Sequence, residues 1–166
     1  FKEAMYQKVR SPAEVVAGTL KLTGDLNGPD PRWGSVPSEP GYMGQALLDP
    51  PSVEGWHTGK EWINSGSLMR RTNFFAELAG DVNRPGIRHI VDELRSNGRS
   101  PEEVVDTCLD LMGPMDIDDE ARAELVDHMA ADGGLSWDGD QDSSRSEERV
   151  SELLQLIVSL REFQFA

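Results

Sequence analysis

The helix boundaries encoded in this sequence constrain its fold more than any other feature does. Residues 11–24 (SPAEVVAGTLKLTG) and 100–113 (SPEEVVDTCLDLMG) are identical at eight of fourteen positions. In each stretch a serine precedes a proline at the first helical position, and a glutamate three residues after the serine completes a capping box. A glycine ends each stretch, where a left-handed residue commonly follows a helix. The pattern predicts two similar amphipathic helices.

Further helices are predicted wherever apolar residues recur at helical spacing, in 65–80, 84–98, 118–132 and 146–165, with a short helix at 42–49. No stretch keeps the alternation typical of a strand. A chain of 166 residues has the length of one domain. We therefore expect a single all-α domain over residues 1–166, with about seven helices and an irregular Pro/Gly-rich loop at 24–41.

The negative charge is concentrated in one segment. The net charge is −14, and residues 101–148 carry sixteen Asp and Glu against Arg122 and Arg145. Such a chain would repel the phosphates of nucleic acid, so a nucleic-acid partner is excluded. We expect this acidic segment to be a solvated surface, and recognition of a cation or a basic partner is the alternative.

Motifs for metal binding or catalysis are incomplete. Asp138, Asp140 and Asp142 resemble the start of a calcium loop, but Ser143 and Arg149 occupy the positions where an EF-hand has glycine and glutamate. The three histidines show no paired metal-ligand spacing. The glycines of GWHTGKE are one residue too close for a phosphate loop. Cys108 lies on the apolar side of its helix and is predicted to be a buried thiol. We predict no catalytic residue, no cofactor and no resident metal, and no apolar run reaches the length of a membrane span.

The most unusual stretch is DPPSVEGWHTGKEWIN, residues 49–64, which we call the corner. Two prolines can end a helix and two glycines permit positive φ, so the chain can turn back on itself. Two tryptophans can then clamp the turn onto neighbouring helices. The candidate residues for a structural corner or a binding site are Pro50, Pro51, Gly55, Trp56, Gly59, Trp62, Asn64, Arg71 and Asn73. A glycan- or peptide-binding platform, and part of an active site shared with another region, remain alternatives.

Residues 43–75 (MGQALLDPPSVEGWHTGKEWINSGSLMRRTNFF) strongly resemble the signature of a large bacterial family catalogued as domain of unknown function 1800. Residues 8–24 and 153–165 resemble flanking parts of the same family, although Leu160 and Arg161 replace its usual Ser-Pro. The resemblance implies helical proteins, many of them exported, and it implies no established reaction. It gives the expectation of a periplasmic, extracellular or cell-surface location.

These observations lead us to expect a non-catalytic scaffold or interaction domain that acts within a larger chain or assembly. The alternative is part of an enzyme whose site another region completes, and the chain is expected to be the C-terminal portion of a longer protein. Several aromatic and apolar residues have no evident partner in the sequence pattern. They predict an interface with the protein's own N-terminal region or with another protein chain: Phe1, Met5, Tyr6, Trp33 and Tyr42.

Overall fold

The structure, a computed structural model, describes residues 8–26, 34–95 and 100–165. Within these ranges the regular elements are all helical, which confirms the predicted all-α class. None of the described helices is both long and apolar enough to cross a membrane. The α-helices are α1 (Pro12–Leu22), α2 (Glu39–Tyr42), α3 (Ser65–Ala79), α4 (Pro85–Arg95), α5 (Pro101–Met112), α6 (Asp119–Ala130) and α7 (Asp140–Ser159).

The two repeated stretches form α1 and α5 with the predicted caps. The backbone N–H of Ser11 donates to the Glu14 carboxylate at 2.7 Å, and the N–H of Ser100 donates to Glu103 at 2.8 Å. The Ser11 and Ser100 hydroxyls accept in return from the backbone of the same glutamates. Each capping box supplies hydrogen-bond partners for backbone N–H groups that would otherwise have none, so neighbouring residues determine where both helices begin.

Two predicted helix boundaries are wrong. The short helix expected at 42–49 lies instead at Glu39–Tyr42, inside the expected loop, because Pro40 suits a first helical turn and residues 43–49 form turns. Helix α7 begins at Asp140 rather than after a capping Ser146. The Ser146 hydroxyl is buried and exchanges two hydrogen bonds with the backbone of Ser136, at 2.9 and 2.6 Å. It therefore ties down the preceding loop instead of capping the helix.

The apolar side chains form two clusters that share α3. The larger cluster joins Phe75 and Ala79 of α3 to the inner faces of α4, α5, α6 and α7. The smaller cluster joins Phe74 of α3 to Val15, Val16 and Leu20 of α1 and to Met43. Adjacent residues of one helix thus face different clusters, so α3 holds the two parts of the domain together.

The ends of the described chain meet. Val9 forms an isolated antiparallel bridge with Phe165, and the Arg10 N–H donates to the Gln164 carbonyl at 3.1 Å. Phe163 packs edge-to-face against Phe75, with ring centroids 4.9 Å apart. The segment that precedes α1 is therefore fixed beside the chain's last turn and close to α3.

The acidic segment is mainly a solvent-facing surface over α5, α6 and the start of α7. Most of its described acidic side chains are exposed, and Asp142 and Glu147 are half-buried. Glu147 accepts from Arg88 at 2.7 Å and from Arg95 at 2.9 Å, which links α7 to α4. Asp140 and Asp142 lie in the first turn of α7, where negative charge suits the helix dipole.

Candidate functional site

The corner turns where its glycines were predicted to permit it. Gly55 has φ 100° and Gly59 has φ 56°, both in the region that disfavours side chains. The Gly55 N–H donates to the Ser52 carbonyl at 3.1 Å and closes a tight turn with Val53 and Glu54 at its tip. A 3₁₀ turn, Gly59–Trp62, follows and carries the chain toward α3.

The two tryptophans of the corner have different environments. Trp62 is buried, with 5% of its surface exposed, whereas Trp56 is half-buried. The Trp56 indole N–H donates to the Ala46 carbonyl at 3.0 Å, which fixes the ring against the turn that precedes the corner. The expectation of a buried clamp therefore holds for Trp62 and is wrong for Trp56.

Asn64 is the N-cap of α3. Its side chain accepts from the Ser67 N–H at 3.0 Å, and its own N–H donates to the Ser67 hydroxyl at 3.0 Å. The Ser67 hydroxyl also donates to the Trp62 carbonyl at 2.6 Å. The cap thus joins α3 to the buried tryptophan, whereas Asn73, further along α3, is exposed.

Arg71 is the largest fully buried side chain in the described residues. Its Nη1 donates to the Arg10 carbonyl at 2.7 Å, which ties α3 to the segment before α1. Its Nε and Nη2 have no hydrogen-bond partner within the described part of the chain. Burial lowers the pKa of the Arg71 guanidinium, since an apolar interior disfavours the charged form.

An exposed apolar loop leads into the corner and includes its first residues, of which the sequence pattern had marked Pro50 and Pro51. In this loop, residues 47–53, Leu48 is 96% exposed, Val53 is fully exposed, and Pro50 and Pro51 are exposed as well. Leu48 also has φ 67°, which makes it the single non-glycine residue with positive φ in the described ranges. The signal in the sequence was the Pro-Pro pair of ALLDPPSV, because the residue before a proline disfavours a helical conformation.

A solvent-open groove of about 480 Å³ lies beside Trp56 and has none of residues 47–53 in its lining. Its walls come from the segment before α1 and from the corner, and its polar lining includes Lys8, Glu14, Gln45, His57 and Thr58 beside Trp56. Lys8 and Glu14 form an ion pair, and this hydrogen bond holds the pKa of the Glu14 carboxyl below its ordinary value. His57 Nδ1 lies 3.6 Å from the Glu61 carboxylate.

A second, smaller cavity of about 220 Å³ lies between α1, α2 and α3. The buried acids that line it are paired, Asp25 with Arg84, and Glu39 with Arg70 through two side-chain nitrogens. The first pair connects the end of α1 to the start of α4, and the second connects α2 to α3. The acids therefore help to hold together the helices around the smaller cluster.

The other residues considered for chemistry lie apart from the corner. His128 Nε2 lies 3.7 Å from the Glu152 carboxylate on α7, and Cys108 is buried in the larger cluster as predicted. Among the described residues, no group of three His, Cys, Asp or Glu could hold a metal ion. Of the predicted interface residues, Tyr42 is 66% exposed and stacks with Arg70, while Phe1, Met5, Tyr6 and Trp33 lie outside the described residues.

Comparison with known proteins identifies one family. A family model with the description "Protein of unknown function (DUF1800)" matches residues 1–165. No curated protein and no solved structure matches the chain.

Proposed function

The chain belongs to the DUF1800 family of proteins of unknown function, and from this premise we propose that it is a non-catalytic helical interaction domain. Its contact surface is the apolar loop, residues 47–53, which binds another protein chain. The rest of the corner acts as the scaffold that holds the loop in place.

The conformation of Leu48 is the observation that carries this proposal. A leucine at positive φ is strained by about 1–3 kcal/mol, and its 96% exposure forgoes the benefit of burial. Burying a leucine or valine side chain against a partner recovers roughly 1.5–3 kcal/mol. Leu48 thus combines two unfavourable features, and Val53 in the same loop is fully exposed. A contact surface that buries these side chains against a partner would account for both features, whereas an isolated domain would not.

Four polar side chains at and beside the corner support a scaffold role. The Trp56 N–H bonds to Ala46, Asn64 and Ser67 cap α3, and Arg71 bonds to the Arg10 carbonyl. Each of these groups is thus engaged in holding one part of the domain against another. A catalytic constellation instead requires polar groups directed at a substrate.

The proposal is tested with a photo-crosslinking amino acid at position 53, introduced into the protein in its native host. We expect a discrete crosslinked species of higher mass, which Leu48→Asn abolishes because asparagine removes the apolar contact. Asparagine tolerates positive φ, so this variant should unfold at the same temperature as the parent or higher.

Leu156 provides the matched control, since it is a 40% exposed leucine on α7, outside the apolar loop. Leu156→Asn should leave the crosslinked species unchanged. If no crosslink forms at position 53, or if Leu48→Asn leaves it intact, the apolar loop is not the contact surface.

We place this interaction outside the cytoplasm, in the periplasm or at the cell surface. The family resemblance alone supports this part of the proposal. Fractionation of the native host, with an antiserum against the domain, would contradict it if the protein remained in the cytoplasmic fraction.

A further inference from the structure

We propose that the groove beside Trp56 binds a neutral carbohydrate. The site is separate from the apolar loop, so it adds a ligand to the protein contact proposed above. Its volume of about 480 Å³ falls within the roughly 300–1,000 Å³ typical of small-molecule sites. It is open along one side, which suits a segment of an oligosaccharide better than an enclosed small molecule.

Trp56 supplies an apolar platform. Its single polar atom, the indole nitrogen, already donates to the Ala46 carbonyl, so the ring offers carbon to the groove. The positive φ of Gly55 and the bond to Ala46 hold the ring before any ligand arrives. Because a fixed ring loses little entropy on binding, it is a good surface for the apolar C–H face of a sugar.

The polar rim offers both donors and acceptors. The Gln45 Oε1 accepts from the Ala13 N–H at 2.9 Å, which orients the amide, and its Nε2 makes no hydrogen bond within the described ranges. His57 and Lys8 are 59% and 62% exposed at the rim, and both can donate. Sugar hydroxyls donate and accept at once, so they match a mixed rim around an aromatic platform.

The charge of the groove decides between classes of ligand. Among the described residues that line the groove, Lys8 and Glu14 are paired with each other, which leaves no unpaired Lys, Arg, Asp or Glu for an ionic ligand. The groove therefore favours a neutral polar ligand over a nucleotide, a phosphosugar or a polyamine.

The backbone at the groove disfavours an extended peptide. Peptides that add to a fold as a strand need unpaired backbone N–H and carbonyl groups along one edge. Here the Arg10 N–H bonds to the Gln164 carbonyl, and the Arg10 carbonyl accepts from Arg71. Both backbone groups of Arg10, in the nearest extended segment, are thus in use.

The test is calorimetric titration of the whole chain with hexasaccharides of glucose (β-1,4 and β-1,3 linked), xylose, mannose and N-acetylglucosamine. We expect at least one to bind with a Kd of about 0.1–1 mM, a range that calorimetry resolves. Trp56→Ala should weaken binding about tenfold or more, and Trp56→Phe should restore it to within about threefold of the parent. His57→Ala, at an exposed position, should weaken binding without lowering the melting temperature.

Trp137 gives the matched control, because it is also half-buried but lies under Arg95, 4.9 Å from its ring centroid. Trp137→Ala should leave the Kd unchanged. The proposal is overturned if no hexasaccharide binds at about 10 mM, if Trp56→Ala and Trp137→Ala weaken binding equally, or if binding depends on Trp56 only for peptides. None of these results would alter the crosslinking test of the apolar loop.

Discussion

At the scale of single residues, the corner shows how similar side chains take different roles. Trp56 and Trp62 are six residues apart and both line the groove, yet the first is half-buried and the second is buried. The difference follows from the turns between them. Gly59 turns the chain inward at φ 56°, and the 3₁₀ turn then directs Trp62 toward the start of α3.

The two tryptophans should therefore differ in their contribution to stability. Trp62→Ala should lower the free energy of unfolding by about 3–5 kcal/mol, the range for a buried aromatic residue. Trp56→Ala should cost clearly less, because part of its ring already faces water. Urea denaturation of both variants measures the difference, and an equal loss would contradict the partial exposure of Trp56.

Burial of the Arg71 guanidinium lowers the stability of the folded state. Two of its nitrogens lack hydrogen bonds within the described residues, and a buried unsatisfied polar group costs about 1–3 kcal/mol. Arg71→Met keeps most of the volume and removes the charge, so it should change stability by less than about 1.5 kcal/mol or even increase it. Arg71→Ala leaves a cavity and should cost roughly 2–5 kcal/mol.

Denaturant midpoints of the two Arg71 variants distinguish packing from charge. If Arg71→Met proves as destabilising as Arg71→Ala, then the bond to the Arg10 carbonyl, rather than the filled volume, accounts for the residue's contribution.

At the scale of elements, the contact between the end of α1 and the start of α4 depends on two glycines. The Gly86 N–H donates to the Thr23 carbonyl at 2.9 Å. A Cβ at Gly86 would lie 1.8 Å from the Leu22 carbonyl oxygen, and one at Gly24 would lie 2.8 Å from the Gly86 nitrogen. These helices approach as closely as backbones allow, and the Asp25–Arg84 ion pair lies beside the contact.

Gly86→Ala should consequently force α1 and α4 apart and cost about 3 kcal/mol or more, the upper part of the range for overpacking. Gly18→Ala is the control, since a Cβ at Gly18 meets nothing within 4 Å and lies within α1. This second change should raise stability by roughly 0.5–1 kcal/mol. Thermal denaturation measures both, and a Gly86→Ala variant as stable as the parent would contradict the close contact.

At the scale of the whole molecule, charge is distributed unevenly over the two clusters. The acidic segment covers α5, α6 and the start of α7, around the larger cluster. Its exposed carboxylates are opposed by few cations, chiefly Arg122, which pairs with Asp106, and by Arg88 and Arg95 of α4. Mutual repulsion across this surface should weaken the compact state.

Salt should therefore stabilise the domain by screening this repulsion. We expect the melting temperature to rise between 0.01 and 0.5 M NaCl, as the screening length falls from about 30 Å to well below 10 Å. CaCl₂ at matched ionic strength is the control and should add nothing further. A larger rise with calcium would identify Asp138, Asp140 and Asp142 as ligands and overturn the solvated-surface interpretation.

The elements of this fold were predictable where a few neighbouring residues decide them. Ser11 and Glu14 complete a capping box within one turn, and the apolar spacing of Ile87, Ile90, Val91 and Leu94 places all four in the core. The positive φ of Gly55 and Gly59 follows from the same local logic, since only glycine adopts it without strain. These features require no knowledge of what lies across the domain.

Tertiary contacts decided the features that local sequence left open. Ser146 had the pattern of a helix cap, but its hydroxyl bonds to Ser136 and α7 begins six residues earlier. Trp56 and Trp62 have the same intrinsic tendency to be buried, and the extent to which each is buried depends on what the corner packs against. Leu48 is exposed, against its own preference for burial, because it lies within the turn that the Asp49 N–H closes on the Ala46 carbonyl. Burial and long-range hydrogen bonds are properties of two segments at once, so neither segment alone encodes them.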